Sequence, residues 1–65
     1  MARWTVTNGD QVMVIESTDQ GLVSVDIPSG PPFIGGTDHI RDVRTKLGLA
    51  IASVRPGGQG PGVQP

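Results

Sequence analysis

Sixty-five residues, with five basic and six acidic side chains, one histidine and no cysteine, describe one small domain of net charge −1. A chain this short buries only about 60% of its unfolded surface, and the missing cysteines exclude disulfides, zinc-thiolate centres and cysteine nucleophiles. The near-neutral charge argues against strong non-specific nucleic-acid binding.

With those staples absent, self-association is the remaining common way to stabilise so small a core. The composition therefore leads us to expect a homo-oligomer or a domain completed by a protein partner. The N-terminus lacks a basic lead followed by a long apolar run, and the apolar stretch 12–15 is far too short to span a bilayer. On these grounds the chain is expected to be cytoplasmic, without a membrane partner. Charge is uneven along the chain. Arg3 alone faces Asp10, Glu16, Asp19 and Asp26, leaving residues 1–34 at −3. Arg41, Arg44, Lys46 and Arg55 against Asp38 and Asp42 leave residues 35–65 at +2. The simplest expectation is that the two halves neutralise each other in the fold.

The first element is a hairpin in "RWTVTNGDQVMVIES". Asn-Gly between two β-rich runs is a favoured two-residue loop, because its positions need positive φ. A loop at Asn8-Gly9 would pair Thr7 with Asp10, Val6 with Gln11, Thr5 with Val12 and Trp4 with Met13. Alternation then places Ala2, Trp4, Val6, Met13 and Ile15 on one face, taken as the core because it holds the only tryptophan. Arg3, Thr5, Thr7, Val12, Val14 and Glu16 fall on the other. "STDQG" reads as a turn with Gly21 in a left-handed conformation. "LVSVDI", 22–27, reads as a third strand with Val23, Val25 and Ile27 sharing a face. Pro28 ends it.

"PSGPPFIGG" has no period and carries the chain across the sheet end, with Phe33 and Ile34 expected to plug the core there. A helix then begins, capped by Thr37 or Asp38. Ile40, Val43, Leu47, Ala50, Ile51 and Val54 recur at helical spacing within an arc of about 100°. Arg55-Pro56-Gly57 ends the helix. The fold class is therefore α+β: a three-stranded antiparallel β-meander packed against one C-terminal α-helix, in a domain of residues 1–55. The Gly/Pro/Gln-rich segment 56–65 reads as a disordered tail.

Chemistry is thinly supplied. Gly35-Gly36 ahead of a helix suggests a phosphate cradle, but the lysine and hydroxyl residue of a P-loop are missing, and Asp38 stands where an anion would bind. His39 lacks a nucleophile or orienting carboxylate that can be placed beside it, so it reads as a partly solvated boundary residue. Asp10 and Asp19 belong to turns. No catalytic residue, metal ligand or cofactor site is expected, and the chain is read as a non-enzyme.

Surfaces say more. Arg41, Arg44 and Arg55 fall within a sector of about 60° on the helix, with Gly48 among them. A mid-helix glycine costs about 1 kcal/mol relative to alanine, so a close contact should justify it. The arginines either neutralise the acidic sheet or contact an acidic partner or phosphate backbone. Leu49 points away from the core stripe, and Val12 and Val14, with Leu22 beside them, form a second apolar patch on the outer sheet face. Val12, Val14, Leu22, Gly48 and Leu49 are thus the candidate interface of a small, self-associating protein-interaction or regulatory module. The alternative is a nucleic-acid-binding regulator acting as a dimer through Arg41, Arg44 and Arg55.

Overall fold

A computed structural model describes residues 1–54. Arg55, the helix stop and the tail of the sequence reading lie outside the described residues. The order is β1 (Ala2–Asn8), β2 (Gln11–Ser17), β3 (Val23–Asp26) and α1 (Thr37–Val54). The three strands form one antiparallel sheet in the order β1-β2-β3, and the helix lies on one side of it. The expected meander-plus-helix architecture is the observed one.

The hairpin differs in register. Its loop is Gly9-Asp10, closed by Asn8 opposite Gln11, so Thr7 faces Val12, Val6 faces Met13 and Trp4 faces Ile15. Gly9 supplies the positive φ, at 63°. Asn8 stays in the strand because its side chain has other work: its Nδ2 donates to the Ile34 carbonyl at 2.7 Å. The Gln11 Oε1 accepts from the Ile34 N–H. Two side-chain amides thus hold both backbone groups of one connector residue. The register is displaced by two residues, not one, so every side chain keeps its expected face.

The second turn follows expectation. Gly21 has φ 81°, and Thr18 Oγ1 accepts from the backbone N–H groups of Gln20 and Leu22. The third strand is shorter than 22–27. Beyond its end a side chain continues the ladder, as the Val12 N–H donates to Ser29 Oγ at 3.0 Å. Since the Val12 backbone faces β3, that of its partner Thr7 faces the open edge, and alternation turns Thr5 the same way. Lys46 of the helix meets that edge, donating from Nζ to the Thr5 carbonyl at 2.9 Å. A lysine over an exposed strand edge blunts edge-to-edge pairing.

The helix cap is also displaced. The Gly36 carbonyl accepts from the Ile40 N–H at 3.0 Å, which makes Gly36 the N-cap, with Thr37 and Asp38 in the first turn. The Gly36 N–H donates to His39 Nδ1 at 3.0 Å. This is the reciprocal half of a capping box, with imidazole in place of a carboxylate. Gly35 is required by contact, not by φ: a Cβ there would lie 2.6 Å from the Cβ of His39.

The core is small. Val6, Val14, Ile15 and Ala50 are its buried apolar residues, and Ile15 is fully enclosed. Val14 is buried although its face carries no helix, because it sits mid-way along the central strand between Thr5 and Asp26. Phe33 is half-buried, whereas Ile34 is exposed. The connector is anchored through the Ile34 backbone and not by that side chain.

Candidate interaction surface

The helix is rolled relative to its apolar stripe. At about 100° per residue, Ala50 and Val43 are central to the sheet-facing side. Lys46 and His39 flank them on one side, Val54 and Leu47 on the other, all half-buried. Lys46 reaches the outer edge of β1, so its flank overlies β1 and the opposite flank is turned toward β3. On that opposite flank Ile40 is 49% and Ile51 52% exposed. On β3 itself Val25, which pairs with Ile15 and so shares the helix-covered face, is 50% exposed. Two residues of the helical apolar stripe and one of the apolar face of β3 are therefore half in water.

Geometry explains this. Strands about 4.8 Å apart make a three-stranded sheet wider than one helix of about 10 Å diameter can cover. The tie of Lys46 to Thr5 draws α1 toward β1, and the helix contacts β3 least. This width mismatch was the signal available in the sequence, and periodicity alone does not carry it.

Next to Ile40 the same flank holds an open recess of about 330 Å³, lined by Gly35, Gly36, Thr37, Ile40, Arg41 and Arg44. Arg41 and Arg44 are exposed at its rim. Among the described residues the ion pairs are the N-terminal ammonium with Asp19, Arg3 with Glu16, and Lys46 with Asp42. None joins residues 1–34 to residues 35–54, so the expected mutual neutralisation of the two halves does not occur within the described chain. Arg41, Arg44, Asp10, Asp26 and Asp38 enter no such pair.

The residues singled out as an interface do not converge. Val14 is 6% exposed and presents no usable surface, while Val12 is half-buried. Leu22 is exposed and shares the outer sheet face with Val12 by alternation. Leu49 is 49% exposed, but on the helix flank above β1, far around from Ile40 and Ile51. Gly48 is exposed and a Cβ there would meet nothing within 4 Å, so no tight sheet-helix contact accounts for it. His39 is occupied in the cap, and among the described residues no group of three or more His, Cys, Asp or Glu could hold a metal. Nor is any helix of the described residues long and apolar enough to cross a membrane. Comparison with protein-family models, curated proteins and solved structures finds no match.

Proposed function

We propose that this chain is a small non-catalytic interaction module that works by self-association. One observation carries the reading: apolar side chains of the core-facing layer, Val25, Ile40 and Ile51, are left half in water on one flank. Covering the exposed half of each contributes about 1 kcal/mol apiece, a large share of the stability of a domain this size. Sedimentation of the full chain across the micromolar range tests it. A concentration-dependent dimer or larger assembly is expected. A strict monomer that retains no protein partner would defeat it.

A second reading, a nucleic-acid-binding regulator acting through Arg41, Arg44 and Arg55, is favoured by the rim position of Arg41 and Arg44, which make no ion pair among the described residues. Against it stand Asp38 in the same helical turn, and Glu16 and Asp26 on the outer sheet face. A gel shift on duplex DNA that fades steeply with salt is the expected signature. No shift at low salt ends this reading.

A further inference from the structure

We infer that Asn8 is a site of spontaneous modification: its amide is lost by attack of the Gly9 backbone nitrogen, and the product no longer holds the Ile34 carbonyl.

Asn8 is the single asparagine of the chain, and glycine follows it. Attack of the Gly9 nitrogen on the Asn8 side-chain carbonyl carbon closes a five-membered ring. The N–C bond forms as that nitrogen gives up its proton and Nδ2 leaves as ammonia, giving a cyclic imide. One water molecule then opens either imide carbonyl. The product is aspartate or isoaspartate, the latter with its backbone running through the former side chain and one methylene longer. Asparagine and water thus become an acid and ammonia, with no redox change and no reactant but solvent. Local structure leaves the attacking nitrogen open. Gly9 has no Cβ to crowd it, is exposed in the two-residue loop and takes φ 63°. Among the described residues its N–H enters no hydrogen bond.

The fold gates the reaction and is changed by it. The leaving group is the same Nδ2 that donates to the Ile34 carbonyl at 2.7 Å, so conversion gives up that bond. Both halves of the bridge to Ile34 are at the surface, where water competes for them. Its opening is therefore a local event that does not need global unfolding. After conversion the bond cannot re-form, because an ionised carboxylate accepts hydrogen bonds and donates none. Set against the Ile34 carbonyl oxygen, it repels where the amide held. The isoaspartate form also lengthens the backbone at the end of β1, opposite Gln11, whose Oε1 accepts from the Ile34 N–H. The connector is then loosened just ahead of Gly36, the N-cap of α1.

The full chain, held in mildly alkaline buffer and sampled over days, tests this by intact-mass and fragment-ion measurement. A gain of one mass unit with release of ammonia is expected, confined to Asn8 and divided between aspartate and isoaspartate. Asn8→Gln, which would need a six-membered ring, should keep its mass over the same period. Gln11→Ala, with the bridge weakened, should convert severalfold faster than the wild type, and the chain unfolded in guanidinium chloride faster still. The converted protein, separated from its parent by charge, should show faster hydrogen exchange at Ile34 and in the first turn of α1. A native chain still unmodified at Asn8 when the unfolded chain has fully converted overturns the site. Equal rates in wild type, Gln11→Ala and unfolded chain overturn the gating by the bridge, and unchanged exchange at Ile34 in the converted protein overturns its consequence. Should Gln11→Ala fail to fold, native against unfolded wild type decides the gating, and the separated product decides the effect.

Discussion

Gly35 and Gly48 are both glycines of the helical region, and opposite reasons govern them. Gly35 sits against His39, where an added methyl would fall 2.6 Å from the imidazole-bearing Cβ. That atom is fixed by the helix backbone, so neither side can yield cheaply. We expect Gly35→Ala to cost about 1–3 kcal/mol, read as a lowered urea midpoint. Gly48 has open space around it. Gly48→Ala should stabilise the folded monomer by up to about 1 kcal/mol and raise its melting temperature by several degrees. A lower melting temperature for Gly48→Ala at a concentration where the protein is monomeric would contradict this account. His39 acts as the cap acceptor through Nδ1. His39→Ala should cost about 1 kcal/mol in the same denaturation experiment, and His39→Gln, which can reach the Gly36 N–H in the manner of a capping box, should recover part of it.

At the scale of elements, the strands and the helix were legible because each follows one dominant periodicity and clear punctuation. Alternation in Trp4–Val6 and Met13–Ile15, the apolar repeat through Val54 and the glycine of the second turn all fell where the residues indicated. What alternation could not fix was the hairpin register, because Asn8 satisfies two roles equally well in sequence: loop residue or strand-end donor. The deciding partner, the Ile34 backbone, lies 26 positions away. The N-cap was misplaced for a related reason. Thr37 and Asp38 are good caps in isolation, yet Gly36 takes the position because His39, three residues on, supplies the acceptor. The Asn8–Ile34–Gln11 bridge also makes a prediction. Gln11→Ala leaves the Ile34 N–H without its acceptor, and should cost about 1 kcal/mol. Hydrogen exchange should show faster exchange at Ile34, with the backbone amides of β2 much less affected.

For the whole molecule, the candidate surface was largely illegible from sequence, since it depends on how a rigid helix sits on a wider sheet. Ile40, Ile51 and Val25 obey the core pattern in every local respect. Only the offset of α1 toward β1 exposes them, and that offset is tied to Lys46, whose ammonium holds Asp42 one turn back and the Thr5 carbonyl across the gap. Val14 errs in the opposite direction, an outward residue buried by central-strand neighbours. Assembly through the α1–β3 flank should strengthen folding at rising protein concentration, because a dimer links the two equilibria. The melting temperature of the wild type should therefore climb with concentration, and that of Ile51→Lys should not.

The clasp on Ile34 divides the connector between β3 and α1 into two parts with unequal freedom to change length. Residues 30–33 span the gap from Ser29, held against Val12, to a fixed post, and extra chain there only enlarges a surface loop at a small entropic cost. Between the post and the helix there are only Gly35 and Gly36, and an inserted residue there would rotate α1 by about 100° or lift it off the sheet. Variation in the length of this connector is therefore expected on the proline side of Ile34, and constancy on the glycine side.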